Sequence, residues 1–359
     1  MKKMERVRLR DLDISIGRFK TGTYNSITDI PGVMVGQVTL SYKKEDGCSV
    51  QTGVSAILPH SGNIYQEKVL GNSYVINGFG KTVGTIQLQE LGVIESPILL
   101  TNTLSVPAAM EGTIRYLLNQ NPQIGDTTGT VNVIVGECND GYLNDIRGLH
   151  VKPEHAYEAI LSAKSGIIEE GCVGAGTGMS CLGYKGGVGT SSRIADFGEQ
   201  QYTVGAFIVS NFGEEKDLRI PGGGCLNRTG NDEKMPDGSI MIILATDAPL
   251  NERQLSRLAK RASFGLSRTG SYAAHGSGDI VIAFSTAHRI PHELPIEQES
   301  IAFNFLREDG QFISQLFEMA VDVVEEAIWN SICKATTTDG NKGNSREAIP
   351  YHLLLGSSS

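Results

Sequence analysis

The chain has 359 residues, 40% of them hydrophobic and 20% charged, enough apolar material for two average domains or one large layered one. A formal net charge of −9 argues against a nucleic-acid partner, since phosphate recognition needs concentrated Lys and Arg. Forty-three glycines occur without a G-X-Y period, which excludes collagen and implies many tight turns and close backbone approaches.

In chain order, the first ten residues carry charge without the apolar segment of a secretory signal. No later stretch approaches the ~20 apolar residues of a membrane span, so a cytoplasmic protein with no membrane partner is expected. Asp29-Ile30-Pro31-Gly32 is a turn, followed by expected strands over 33–40 and 53–58 and further ones over 74–84, 94–101 and 131–136. Residues 108–119 have helical spacing, with Met110, Ile114, Leu117 and Leu118 on one face. A second helix is predicted over 153–168, opening on Pro153 at an N1-like position with Glu154 in the first turn. The Gly-rich stretch 171–189 reads as an irregular loop, and the polar stretch 214–237 as an exposed one. Asp237-Gly238 then makes a turn into Ser239 and the apolar run Ile240-Met241-Ile242-Ile243-Leu244-Ala245, a strand buried on both faces. Helices over 251–265, capped by Asn251, and over 310–334 flank another strand over 279–285; the residues from Thr336 onward are polar and expected to fray. Interleaved strands and helices make the class α/β or α+β.

Several motifs fail on one residue each. Gly78-Phe79-Gly80-Lys81-Thr82 ends like a P-loop, but Val75 stands where its first glycine belongs, and Met179 occupies the third-glycine position of a dinucleotide fingerprint beginning at Gly174. Gly276-Ser277-Gly278 lacks the first glycine of a nucleophile elbow, which here is His275. The seven histidines show no metal-ligand spacing, and the six cysteines no C-x-x-C pair; free, mostly buried thiols are expected. Ser239 offers a different chemistry. If the Gly238–Ser239 bond were cut, the hydroxyl of Ser239 would lie beside its own α-amine, which titrates near ~7.7–8.0 and can accept the hydroxyl proton. Glycine before it leaves the carbonyl open to attack.

The chain resembles the DmpA-type aminopeptidases, the autoprocessed L-aminopeptidase/D-esterase and β-aminopeptidase family. Eight blocks carry the likeness in order: residues 27–33, 53–60, Asn77-Gly78-Phe79-Gly80-Lys81, 100–106, 174–190, Ser210-Asn211-Phe212-Gly213, Gly238-Ser239 with 245–250, and Gly276-Ser277-Gly278-Asp279 with 283–286. The resemblance implies a four-layer αββα sandwich that is similar to the N-terminal-nucleophile hydrolases but differs in strand connectivity. It implies a single catalytic domain over 1–359, self-cleaved at Gly238–Ser239 into chains 1–238 and 239–359, which assemble as a homo-oligomer, a tetramer of cleaved heterodimers. No cofactor or metal is implied.

By the same likeness, Ser239 is the nucleophile, Asn211 donates to the oxyanion, and Ser277 and Asp279 orient and polarise the nucleophile. Glu137 resembles the acid that pairs with the substrate's free amino group. The residues after Glu137 depart from the pattern: Cys138 and Asn139 stand where many relatives have Thr and an aromatic, which leaves Tyr142 to replace the aromatic wall or to lie elsewhere. The expected reaction is removal of N-terminal residues from small peptides, amides or esters through an acyl-enzyme on Ser239. Two rivals remain at this level. One is acyl transfer of the ornithine-acetyltransferase type, whose members have threonine at the cut; the other is a binding protein that kept the fold and lost the chemistry.

Overall fold

The computed structural model describes residues 5–221, 238–295 and 297–355. The elements begin with β1 (Met34–Lys43), β2 (Ser49–Leu58), β3 (Glu67–Gly78), α1 (Thr85–Leu91), β4 (Val93–Ile94), β5 (Ile98–Asn102), α2 (Val106–Gln120) and β6 (Ile134–Cys138). They continue with α3 (Pro153–Leu161), β7 (Ser180–Cys181), β8 (Tyr184–Lys185), β9 (Gly187–Phe197), β10 (Gln200–Asn211) and β11 (Gly238–Thr246). The last are α4 (Glu252–Arg268), β12 (Ser277–Pro291), α5 (Gln311–Lys334), β13 (Thr338–Asp339) and β14 (Ser345–Arg346).

Two larger sheets form, one in the order β1-β2-β5-β6 and the other β4-β3-β12-β11-β10-β9. Pairing is antiparallel except between β5 and β6 and between β11 and β12. Both exceptions are joined through a helix, α2 and α4, which is the connection a parallel pair needs. The parallel pair sets the starts of β11 and β12 side by side, and the antiparallel neighbours β10 and β3 end there.

Alternation along β11 shows how the layers stack. Ile240, Ile242 and Leu244 join a core built with α4 and α5, including Leu255, Leu258, Val324 and Ile328. Met241, Ile243 and Ala245 join the opposite core with Val35, Ile57, Leu100 and Ile134 of the other sheet. Successive side chains point to opposite faces of a strand, so an uninterrupted apolar run marks a strand covered on both sides. A third core, with Val54, Ala56, Leu99 and Val135 against Ala109, Ala156 and Ile160, fixes α2 and α3 on the outer face of the four-stranded sheet. The layer order is helices, sheet, sheet, helices. No helix among the described residues is long and apolar enough to cross a membrane.

The structure bears out the helices over 251–265 and 310–334; the Asn251 side chain accepts from Gln254 N at 2.9 Å as the N-cap of α4. Elsewhere it corrects the expectations. The helix opening at Pro153 ends at Leu161, because the chain then turns so that Lys164 exchanges backbone hydrogen bonds with Val35 of β1. On α2, Met110 and Leu118 are exposed, and Ala109, Gly112, Thr113 and Leu117 are buried. α2 lies so near α3 that a Cβ on Gly112 would come within 2.2 Å of the Pro153 carbonyl oxygen; small residues therefore make the packed face. The stretch 171–189 holds the short β7–β8 pair and the start of β9. The chain after Thr336 does not fray through residue 355: Ile349 is buried, and Arg6 donates to its carbonyl at 3.0 Å and lies over the Tyr351 ring. Of the 214–237 stretch, Leu218 is fully buried, whereas 222–237, with Cys225, lie outside the described residues. Cys138, Cys181 and Cys333 are buried thiols, and Cys48 and Cys172 are partly exposed.

Candidate active site

Asn211, Ser239, Ser277 and Asp279 meet where four strands of the larger sheet begin or end. Ser239 pairs with Asn211 of β10 on one side and with Gly278 of β12 on the other. By the alternation of β11, Ser239 shares the face of Met241, toward the four-stranded sheet. There its Oγ, nearly buried, accepts from Asn211 Nδ2 at 3.3 Å and from the backbone N of Asn139 at 3.3 Å. Asn211 is itself fixed at both ends of its amide: Oδ1 accepts from Ser180 N at 2.9 Å, and Nδ2 also donates to Asn139 O at 2.9 Å. Two N–H donors, one on a side chain and one on the main chain, thus converge on the hydroxyl oxygen of Ser239.

Gly238 is confined from three sides. A Cβ there would meet Phe212 Cα at 3.1 Å, Asn211 O at 3.3 Å and Ser277 Oγ at 3.3 Å. Glycine therefore fits this position for space, and the Ser277 hydroxyl borders the Gly238–Ser239 peptide. A narrow crevice on this side is lined by Phe212, Asp217, Gly238, Tyr272, Ala274 and Ser277. A roomier cleft of about 540 Å³ lined by Arg8, Tyr24, Ile167, Glu170 and Lys334 shares none of these residues.

Ser277 and Asp279 lie two residues apart on β12, and the Ser277 hydroxyl donates to Asp279 Oδ1 at 2.6 Å. Their neighbours in alternation, Val281 and Ala283, face the α4–α5 layer, so the pair approaches the backbone of Ser239 from the face opposite its Oγ. The carboxyl of Asp279 is fully buried, with Oδ2 lacking a hydrogen-bond partner. Burial disfavours its charged form and holds its pKa up at about 6, against the pull of the Ser277 and Ile240 N–H hydrogen bonds.

Glu137, at the end of β6, brings a second carboxylate from the other sheet. It is nearly buried; Oε1 accepts from Lys81 N at 2.9 Å, and Oε2 accepts a short hydrogen bond from Thr103 Oγ1. Gly80 bridges the gap to β12: a Cβ there would stand 3.6 Å from Glu137 Oε1 and 3.7 Å from Gly278 Cα. The next residue, Cys138, lies beside Ser239; burial pushes its thiol far above the usual range, and it donates to Val209 O at 3.5 Å. Asp140, also buried, is bound by Asn144 at 3.0 Å and is raised to about 7 by burial. Tyr142 is exposed. Its ring lies at the surface under the Arg346 guanidinium, 3.8 Å from the centroid, and its carbonyl accepts from Asn344.

Asn139 is the participant that sequence reading missed. Its contribution is a main-chain N–H and C=O, which any residue type supplies, so no signal in the side-chain pattern could have found it. Thr103 lies within the 100–106 stretch, but a threonine after a strand has many ordinary uses and its type does not announce the bond to Glu137.

The residues 25–346 match the model of peptidase family S58. The chain is 38% identical over 371 residues to a β-peptidyl aminopeptidase of Sphingosinicella microcystinivorans, covering 97% of this chain and 90% of that protein. Among solved structures, the PH0078 protein of Pyrococcus horikoshii OT3 superposes with a TM-score of 0.89 at 52% identity, over 97% of this chain and 98% of that one. The L-aminopeptidase D-Ala-esterase/amidase of Ochrobactrum anthropi, described as a prototype of the serine aminopeptidases and a new variant of the Ntn-hydrolase fold, superposes with a TM-score of 0.87 at 34% identity. That match covers 97% of this chain and 96% of the other.

Proposed function

This chain belongs to peptidase family S58 and is an aminopeptidase, and from that premise we propose that it cuts itself before Ser239 and then uses the freed residue as an N-terminal nucleophile. The observation that carries the reading is the convergence of Asn139 N–H and the Asn211 amide on Ser239 Oγ, immediately after a glycine. In self-cleavage, Oγ bonds to the Gly238 carbonyl carbon while its proton passes to the peptide nitrogen, and the C–N bond breaks to give an ester and the Ser239 amine. Water hydrolyses the ester, releasing a chain that ends in Gly238 and a chain that begins with the Ser239 amine. In turnover the same Oγ attacks a substrate carbonyl, the amine product leaves with a proton, and water frees the acyl group.

Each further residue has a place in this scheme. Both donors now on Oγ stand within reach of the oxyanion that forms one bond beyond it. Glu137, braced by Lys81 N and Thr103, supplies the negative charge for a substrate ammonium, which makes the reaction exo-acting. Ser277 and Asp279, on the backbone side, hold the new α-amine so that its lone pair faces Oγ. Tyr142 is given no step in this reading; its ring lies exposed with the Arg346 guanidinium over one face. From the family membership we take the processed form to be a cytoplasmic homo-oligomer of cleaved heterodimers.

A panel of aminoacyl p-nitroanilides carrying α- and β-amino acids of both chiralities tests the function. The expected result is release of nitroaniline from substrates with a free amine and none from their N-acetylated counterparts. Equal rates on the acetylated series would sink the role of Glu137, and a flat response in fully processed protein would sink the hydrolase reading of the site.

The site also predicts a pH profile. Burial holds the proton on Asp279 up to about pH 6 in the uncut chain, and the ammonium freed beside it by cleavage lowers that pH. Below that pH, a protonated Asp279 donates to Ser277, and in the fraction of enzyme whose α-amine is neutral the serine hydroxyl then turns to the amine and ties up its lone pair. Turnover therefore needs two groups without protons, Asp279 and the amine, the latter near ~7.7–8.0. The logarithm of kcat/KM should rise with a slope of two below the pKa of Asp279, then with a slope of one up to the amine's pKa. Asp279→Asn should retain a slope of one throughout; an unchanged profile in that variant would remove Asp279 from the scheme.

A further inference from the structure

Asn77 lies at the end of β3 against the start of β12, partly buried, and the scheme above leaves it without a task. Its amide nitrogen stands 3.0 Å from Ala274 O, 3.0 Å from His275 O and 2.5 Å from Ser277 O. Two N–H hydrogens therefore serve three carbonyl oxygens of one short turn. Ser277 N closes that turn on Ala274 O at 2.9 Å. Immediately before the turn stands Ala273 at φ 53°, a left-handed conformation that a non-glycine residue keeps only when its surroundings hold it.

The register of the two strands explains how the amide reaches the turn. Asn77 is opposite Asp279, and pairing resumes at Val75 with Ile280, so Ile76 is an extra residue on β3. Such a bulge bends its strand and re-aims the side chains beside it. Here it delivers the amide to the carbonyls of 274–277, at the residue that begins β12 and bears the hydroxyl on Asp279.

We propose that Asn77 is a positioning residue for Ser277: it pins the 274–277 turn so that the Ser277 hydroxyl stays on Asp279 and beside the Gly238–Ser239 backbone. This rests on the role given to Ser277 above. The plainer reading is an amide that merely satisfies loop carbonyls at a strand end. The two differ in what they move, because an idle amide affects only folding, whereas a positioning one affects the chemical step. A misplacement of the order of 1 Å at a reacting group costs about 10²-fold in rate.

The test compares Asn77→Ala, Asn77→Asp and Ser277→Ala in the full-length processed enzyme, on the p-nitroanilide the wild type cleaves best. Active sites are counted by burst titration, and thermal unfolding is followed in parallel. Asn77→Ala should lose about 10²-fold in kcat per active site with KM unchanged. It should also lose the two-proton slope in acid, as Asp279→Asn does. Asn77→Asp, which sets a carboxylate against three carbonyl oxygens, should be at least as impaired. If Asn77→Ala remains uncut, the same comparison is made on the rate of self-cleavage followed by mass, with slowing expected. Wild-type kcat and slope in Asn77→Ala, with Ser277→Ala impaired, overturn this inference alone. A loss that follows only the folded fraction does the same. Full activity in Ser277→Ala overturns both this inference and the role of Ser277.

Discussion

Ser239→Ala should be recovered as one uncut 38.5 kDa chain with no aminopeptidase activity, while the wild type separates into two chains by denaturing mass measurement. Removing the nucleophile of a serine hydrolase costs about 10⁶-fold in kcat, and here the same atom is also needed for maturation. The fold should survive the change. Ser239 is nearly buried, but alanine removes only one oxygen, and Asn211 Nδ2 keeps its second acceptor, Asn139 O, at 2.9 Å. The Asn139 N–H loses its acceptor, so a modest loss of stability is expected. Two chains from Ser239→Ala would place the cutting agent outside this serine and would end the case for self-cleavage there.

Asn211→Ala is expected to fall by at least the ~10²–10³-fold in kcat that removal of one oxyanion donor costs. The geometry argues for the upper end of that range. The Asn211 amide donates toward Ser239 and also braces Asn139 O and Ser180 N, so its removal loosens the segment that carries the second donor. Asn211→Asp separates the two effects. It is isosteric and still accepts from Ser180 N, yet it replaces the N–H donor with a negative charge facing the developing oxyanion. KM should change little in either variant, because the interaction is made chiefly in the transition state. Activity near that of the wild type in Asn211→Asp would show that this amide does not serve the oxyanion.

The layered α/β class was legible because strands and helices alternate along the chain and the long helices are strongly patterned. α4 carries its cap at Asn251 and its apolar face at Leu255, Leu258, Ala259 and Ala262, all of which are buried. α2 was legible as a helix but not for its face. Its burial pattern follows from the closeness of α3, and a contact set by Gly112 lies outside any periodicity of Met and Leu. The end of the chain was misread for a related reason. Residues 336–355 are polar in composition, yet a few contacts of Arg6, Ile349 and Tyr351 suffice to hold them.

For the site, the apolar run after Ser239 announced a central strand, and the glycine before it announced an open carbonyl; both are local properties of adjacent residues. The convergence of Asn211, Ser239 and Ser277 needed the pairings of β10, β11 and β12, which join residues far apart in the chain. The face on which each points also stayed hidden, since a run buried on both sides has no polar alternation to read. Only the packed layers decide that Ser239 turns toward β6 and Asn139, while Ser277 and Asp279 come from the helical side. Sequence by itself determined which residue types were at hand and where a cut would leave a serine at a strand's end. The tertiary structure decided what surrounds that serine, because hydrogen bonds from a main-chain N–H and the burial that lifts a carboxyl to about 6 exist only once the two sheets have closed on one another.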